Sequence, residues 1–312
     1  MHSPLVTPMA TVVCKIDPCY LPDDTNVSCA STTSNTTSSA VSRLSTGEES
    51  NVLSVLSTPS LTSAIMSGFI RDNGLDSRLN RGCFYACHDE RKNLTGIALI
   101  GHTTLLETFD EDAMQAFANV ARQTPAKHLL IGEHNSVLQF WNNYALNGES
   151  PRLINPILFL QRRQQFNKHE PVDGLRLATK KDLEHVVLAQ AAMAFETCGV
   201  DPLKKDPAGF CKRYLRRIEK QRVWVLIKDD RLVFKTDVTS ESEDVAYLEG
   251  VYVSPEERGK GLGRTCLQAI GHSLLERKKA IYLFVEHDNA RLQSFYFNLG
   301  FSIGGHYDLL YF

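Results

Sequence analysis

The chain has 312 residues, 43% hydrophobic and 22% charged, with 36 acidic against 34 basic side chains and a formal net charge of −2. That length and apolar content can bury a sizeable core, most naturally in two domains. The near-neutral balance gives no reason to expect nucleic acid or another polyanion as partner, and no run approaches the ~18 uninterrupted apolar residues of a membrane span.

The start, Met1 to Tyr20, is punctuated by Pro4, Pro8, Asp17 and Pro18 and lacks a secretory apolar core. The eight cysteines include no C-x-x-C pair. Cys83 and Cys87 lie an even number apart in a strand-like run and read as buried free thiols of a reducing compartment, so the expected location is cytoplasmic. Residues 1–60 are rich in Ser and Thr, most densely from Ser31 to Ser39, and poor in periodic apolar residues. Such a composition does not offset the entropy of ordering and reads as a mostly flexible tail. A short helix is expected to begin near Ser60, where Leu61, Ile65 and Met66 share a face.

From Gly82 the pattern changes. Cys83–His88 and Leu94–His102 read as two strands joined by the polar turn from Asp89 to Asn93. A helix is expected from Asp110 to Arg122, a strand at Lys127–Gly132, a helix at Ser136–Asn147 and a strand at Pro156–Arg162. A second unit opens with a strand at Leu175–Thr179 and a helix at Lys181–Glu196. A helical stretch follows from Phe210 to Gln221, then a hairpin of Val223–Lys228 with Leu232–Val238. Val245–Val253 is a strand, followed by a glycine-rich turn and a helix running to Lys278. Ile281–Val285 is a strand, Asn289–Leu299 a helix, and Phe301–Phe312 supplies one or two closing strands.

The two units read as diverged copies, since the segment from Glu133 to Trp141 parallels that from Glu286 to Tyr296, each on the heels of an apolar strand. They differ where chemistry is expected. The first has Glu107-Thr-Phe-Asp-Glu-Asp112 where the second has glycines and an arginine, and acidic side chains there would cap the helix dipole and repel phosphate.

The richest stretch is Val251-Tyr-Val-Ser-Pro-Glu-Glu-Arg-Gly-Lys-Gly-Leu-Gly263. Gly259, Gly261 and Gly263 let backbone N–H groups approach a bound anion. The helix beginning near Leu262 aims its positive end at the same point, and Arg258, Lys260 and Arg264 add fixed charge. A Walker A loop is excluded because no Lys-Ser or Lys-Thr follows the glycines. A dinucleotide fingerprint is excluded by the G-x-G-x-G spacing and the late position in the chain.

The arrangement R-x-x-G-x-G from Arg258 to Gly263, after a V-x-V-x-P strand end, resembles the acetyl-CoA loop of the GNAT acyltransferases. Asn289-Ala-Arg-Leu-Gln-Ser-Phe-Tyr-Phe-Asn-Leu-Gly-Phe301 looks like a second signature of that family, N-x₆-Y-x₃-G-F. The resemblance covers most of residues 172–312. The whole chain is similar to proteins of tandem type, with a tail over 1–60, a degenerate GNAT-like domain over 61–170 and a catalytic domain over 171–312. It implies an α/β fold of two GNAT-like domains, each a mixed, mostly antiparallel sheet flanked by helices.

By that resemblance, acetyl-CoA is the co-substrate and lies between two splayed parallel strands, with no metal. Backbone groups of Val251 and Val253 would pair with the pantetheine arm, and the amides from Gly259 through Lys260, Gly261, Leu262 and Gly263 to Arg264 would take the pyrophosphate. Asn289 reads as a helix cap, with a contact to the cofactor arm implied. Tyr296 would protonate the departing thiolate, against the reading of a core aromatic among Phe295 and Phe297. The base is open. Glu249 shares strand parity with Val251 and Val253, although it also reads as a polar strand residue beside a bulge at Gly250. Glu196 is a second candidate, or a solvated helix end. Cys266, His134 and His287 read as structural, and the basic run from Lys212 to Lys220 as a solvated helix face.

The implied function is direct transfer of an acetyl group from acetyl-CoA to a small-molecule or peptide amine. The alternative is a non-catalytic acyl-CoA sensor. The N-terminal domain would form an acceptor pocket or a homodimer contact.

Overall fold

The computed structural model describes residues 34–312 apart from 37–38, 58–59, 126–128, 147 and 167–170. The chain divides into two compact units. One gathers the described residues up to Phe159 with Ser240–Ser242 and the C-terminal Ile303–Phe312; the other holds Leu160–Thr239 and Glu243–Ser302.

The first unit contains β1 (Ser34–Thr36), β2 (Ser39–Arg43), α1 (Glu49–Val55), α2 (Leu61–Asn73), β3 (Gly82–His88), β4 (Leu94–Gly101), β5 (Thr103–Thr108), α3 (Glu111–Gln123), β6 (Leu129–Glu133), α4 (His134–Tyr144) and β7 (Leu153–Arg162). Its sheet runs β1-β2-β3-β4-β5-β6 and is continued by the chain's last strand, Ser302–Tyr311. The antiparallel register of that strand sets Tyr307 opposite Glu133 and Tyr311 opposite Leu129. Helix α3 lays Ala113, Met114, Phe117, Ala118 and Ala121 against Tyr85, Ala98 and Leu130. Each large apolar side chain buried in this way contributes roughly 1.5–3 kcal/mol.

The tail expected through residue 60 is structured well before that point. Within the described residues, Ala40–Arg43 pair with Tyr85–His88, and Val41, Leu44, Val52 and Leu56 are buried. Few but well-spaced apolar residues anchor a segment whose average composition is polar. The expected tail's first 33 residues lie outside the described residues. Strand β5, which the sequence reading passed over, is a parallel partner of β6. Cys87 is a free, buried thiol as expected, whereas Cys83 is disulfide-bonded.

The second unit contains β8 (Arg176–Leu177), α5 (Leu183–Cys198), α6 (Pro202–Lys205), α7 (Pro207–Glu219), β9 (Val223–Lys228), β10 (Arg231–Glu241), β11 (Val245–Val253), α8 (Leu262–Leu275), β12 (Ala280–Glu286) and α9 (Ala290–Asn298); the last strand of the chain, β13 (Ser302–Tyr311), belongs from Ile303 on to the first unit. Its strands are ordered β12-β11-β10-β9-β8. Asp206 caps α7 by accepting from the Gly209 amide at 2.9 Å, and Pro207 stands at the first helical position, where no amide hydrogen is needed. Helix α7 then buries Phe210, Tyr214 and Ile218 with Val186, Val187, Val223 and Val225. Both units are mixed α/β layers with mostly antiparallel sheets, the expected fold class. Among the described residues no helix is long and apolar enough to cross a membrane.

Asp182 ties the entry of α5 to β8. It accepts two bonds from Arg176, at 2.7 and 2.9 Å, and two from Thr179, from the amide at 2.7 Å and from the hydroxyl at 2.9 Å. The Arg176 guanidinium, helped by these Thr179 donors, holds its carboxyl far below the usual carboxylate range. Stability from a depressed carboxyl is complete above its unfolded pKa and is lost as pH falls through the folded value. Asp182→Asn is therefore expected to lower stability by about 1–3 kcal/mol at pH 7. The gap should persist down to about pH 4 and close only in stronger acid, which chemical denaturation across pH would check. A gap that closes between pH 7 and 5 would contradict the assignment.

Candidate active site

The second unit's site begins where two strands part. β11 and β12 pair in parallel at Val245 with Ala280, Ala246 with Ile281 and Tyr247 with Tyr282, and the register ends there. Yet β11 continues to Val253 and β12 to Glu286. The strands open into a fork over the residues that carry Glu249, Val251 and Val253. Gly250 sits at the divergence with φ +66°, a left-handed conformation inside a strand.

Past β11 the chain turns through Pro255–Glu257 into the glycine loop. Gly259 and Gly261 have φ of +78° and +85°, so both positions favour glycine on backbone grounds. Gly263 is needed for space, since a Cβ there would lie 3.0 Å from Val253 Cγ2. Gly261 is the N-cap of α8 and supplies no side-chain cap. The first-turn amides of a helix have no acceptor within it, so this end presents its donors and its positive dipole outward. Gly259, Lys260, Gly261 and Arg264 are exposed, Leu262 is half-buried and Gly263 is buried.

The three cations are braced against the protein. Arg258 Nε donates to the Val253 carbonyl at 3.0 Å, Lys260 Nζ lies 3.3 Å from Glu257 Oε1, and Arg264 Nη2 donates to the Asn298 carbonyl at 3.2 Å. The Arg258 bond ties the loop to the end of β11, a role the sequence did not announce.

The N-terminal unit offers an internal comparison. Its parallel strands pair only at Thr103 with Leu129, Thr104 with Leu130 and Leu105 with Ile131, although both run further. The helix beyond this fork, α3, is capped by its own Asp110, whose carboxylate accepts from the Ala113 amide at 2.7 Å, and Glu111 and Asp112 occupy its first turn. A cavity of about 250 Å³ in this unit is lined by Glu107, Ile131, Glu133 and Tyr307 among others. Glu107 in turn accepts from the Ser60 and Thr62 hydroxyls and from the Ser63 amide at the start of α2. The two forks share geometry and have opposite electrostatics, as the acidic segment implied.

Asn289 caps α9, its Oδ1 accepting from the Leu292 amide at 3.0 Å. Tyr296, two turns on, is fully buried, with ring centroids 5.2 Å from Phe295 and 5.6 Å from Phe301 at near-perpendicular angles. Glu249 is 4% exposed and accepts from the Tyr247 hydroxyl at 2.9 Å. The parity argument relating it to Val251 does not carry across Gly250, where the strand leaves extended geometry. Glu196 is exposed near the end of α5. Cys266 is buried in α8, and burial pushes its thiol up to about 12, which leaves no thiolate for nucleophilic chemistry at neutral pH. His134 lies in the other unit, its Nδ1 2.7 Å from Asp308 Oδ2.

One group went unnoticed in the sequence. Lys235 and Asp237 on β10 are both wholly buried. Lys235 Nζ lies 2.9 Å from Asp237 Oδ2, and Arg217 Nη1 lies 3.5 Å from the same oxygen. The basic run on α7 is therefore not only a solvated face, since Arg217 turns inward. The alternation Phe234-Lys-Thr-Asp-Val238 puts the two charges on one face of the strand, and only the packing of α5 and α7 shows that this face is covered.

The sequence model of the acetyltransferase (GNAT) family matches residues 184–301. No curated protein matches the chain significantly. Among solved structures, the chain is similar to a GNAT-family acetyltransferase from Colwellia psychrerythraea, with TM-score 0.55, 13% identity and coverage of 87% of this chain and 99% of that one. A GCN5-related N-acetyltransferase from Sphaerobacter thermophilus gives TM-score 0.53 and 12% identity over 88% and 95% of the two chains. A tandem GNAT protein from the clavulanic acid biosynthesis pathway gives TM-score 0.53 and 12% identity over 88% and 97%. At these identities the structural likeness speaks for the fold, and it runs across both units. The sequence match adds to the fold a family for part of the chain: residues 184–301, nearly all of them in the second unit, match the acetyltransferase (GNAT) family.

Proposed function

We propose that this protein is an acetyl-CoA-dependent N-acyltransferase that moves an acetyl group to a primary amine by direct attack on the thioester. The observation that carries this reading is the exposed, uncapped start of α8 beside the fork of β11 and β12. Amides and dipole there suit a pyrophosphate, and the stretch of β11 beyond its parallel register with β12 suits an extended pantetheine arm, which would bond with Val251 and Val253. When bound, acetyl-CoA supplies an activated acyl carbon and a thiolate leaving group.

The protein's own groups have three tasks. Strand amides at Gly250 and Val251 donate to the acyl oxygen as it gains charge, the type of contact worth about 10²–10³ in rate elsewhere. A primary amine is protonated at neutral pH and must lose a proton before it attacks. Glu249, buried and already a hydrogen-bond acceptor, takes it, directly or through a water. The Tyr296 hydroxyl protonates the sulfur. Cys266, buried with its thiol pushed up to about 12, supplies no acyl-enzyme nucleophile. The acceptor is a small-molecule or peptide amine.

Gly261→Asp gives α8 the self-capping carboxylate that Asp110 gives α3. Acetyl-CoA binding measured by calorimetry is expected to weaken about 100-fold or more, with helix content unchanged by circular dichroism. Unchanged affinity would remove the cofactor assignment. Tyr296→Phe keeps the ring packing and should lower kcat about 100-fold without raising KM. A variant that turns over normally would return Tyr296 to the core. A protein that binds acetyl-CoA but releases no thiol above hydrolysis with any amine would be a sensor instead.

A further inference from the structure

The buried cluster on β10 touches the fork. Lys235 Nζ donates to Gln190 Oε1 at 2.7 Å, to Asp237 Oδ2 at 2.9 Å and to the Gly250 carbonyl at 3.3 Å. These three partners use all the donors of an ammonium group, so its position is fully constrained. The Tyr214 ring lies beneath it, its centroid 5.7 Å from Lys235 Nζ and 5.1 Å from Arg217 Cζ. A side chain at Gly250 would collide, because a Cβ would stand 2.7 Å from Lys235 Nζ and 3.0 Å from Asp237 Oδ2. Beside it, the Thr236 hydroxyl donates to the Glu249 carbonyl at 3.0 Å.

Two successive carbonyls of β11 are thus drawn toward groups of β10, where an undisturbed strand would alternate them. In a planar trans peptide the following N–H lies opposite the carbonyl. The N–H groups of Gly250 and Val251 are therefore directed away from the Thr236 hydroxyl and the Lys235 ammonium, and the other neighbour of β11 is β12, with the open fork. Successive N–H groups turned to one side form a concavity suited to an anionic oxygen.

Stability is weak ground for keeping such a cluster. Removing an ammonium and a carboxylate from water costs several kcal/mol per ion, and well-packed apolar replacements are often neutral or stabilising. Among the described residues, Asp237 Oδ1 moreover has no hydrogen-bond partner although buried, and an unmet buried acceptor costs stability.

We infer that Lys235, held by Asp237 and Gln190, is a positioning residue that acts through the Gly250 carbonyl to aim the Gly250 and Val251 amides at the reacting acyl oxygen. This rests on the acyltransferase reading above.

The test is the paired variant Lys235→Met with Asp237→Leu, which removes both charges together. Its melting temperature should be unchanged or higher, and its acetyl-CoA affinity by calorimetry should stay within about threefold of the parent protein. Thiol release from acetyl-CoA, followed with a fixed panel of glucosamine, spermidine, lysine and a short peptide, should fall about 10²–10³-fold in kcat with KM little changed. In the protein without ligand, hydrogen exchange at Gly250 and Val251 should accelerate at least about tenfold while the rest of β11 keeps its protection. Gln190→Leu, which deletes a single acceptor of the ammonium, should give the same pattern with a smaller fall of about tenfold.

A drop in melting temperature accompanying the lost turnover would assign the cluster to stability and overturn the inference. Normal kcat, or unaltered exchange at Gly250 and Val251, would overturn it while leaving the acyltransferase reading intact. No thiol release by the parent protein would remove that reading and this inference together.

Discussion

The parallel pairing of β11 with β12 lasts three residue pairs and stops at Tyr247 and Tyr282, and the rest of the site depends on that stop. Had the ladder continued, the groups of Val251 and Val253 that face β12 would be spent inside the sheet. The interruption follows from Gly250, whose left-handed backbone is incompatible with a regular strand. Beyond it the chain reaches Val253 already diverging, and Arg258 Nε returns to the Val253 carbonyl to fix where the glycine loop starts. Fork, loop and helix end are therefore one construction, in which each part sets the direction of the next.

Magnitudes show why no single part suffices. Micromolar binding corresponds to about 8 kcal/mol, whereas a helix terminus contributes typically 0.3–1 and at most about 2 kcal/mol toward an anion. The remainder has to come from the stretch of β11 beyond its register with β12 and from Arg258, Lys260 and Arg264. The exposed Lys260–Glu257 pair costs little to give up, because surface ion pairs are worth about 0–1 kcal/mol. In the N-terminal unit a similar fork ends in a helix whose first amides already hold Asp110. One carboxylate at the cap consumes both the donors and the dipole on which an anion site relies, so the same backbone geometry serves opposite ends.

Local chemistry was the legible part of the sequence. The glycine loop could be read because positive φ, a missing side-chain cap and nearby cations are written into adjacent residues, and Asn289 because a helix cap is a property of four consecutive positions. The strands Val223–Lys228 and Val245–Val253 fall where their apolar runs indicated. Residues 39–57 were misread because composition averages away the few apolar anchors, Val41, Leu44, Val52 and Leu56, which long-range partners bury. The burial of Lys235 and Asp237 was equally hidden. Both lie on one face of a strand, and that face is covered only because Gln190 from α5 and Tyr214 and Arg217 from α7 close over them. The placement of the last strand beside β6 also follows from topology, which no local pattern encodes.

The central claim is that the start of α8 is built to receive a diphosphate while the start of α3 is not. Its most direct test is an amide-resolved NMR titration of the full chain with CoA. The account predicts that the largest shifts cluster at Gly259–Arg264, with a second group along Gly250–Val253, and that Asp110–Ala113 stay still. Shifts concentrated at Asp110–Ala113, or absent from the glycine loop at saturating CoA, would contradict it.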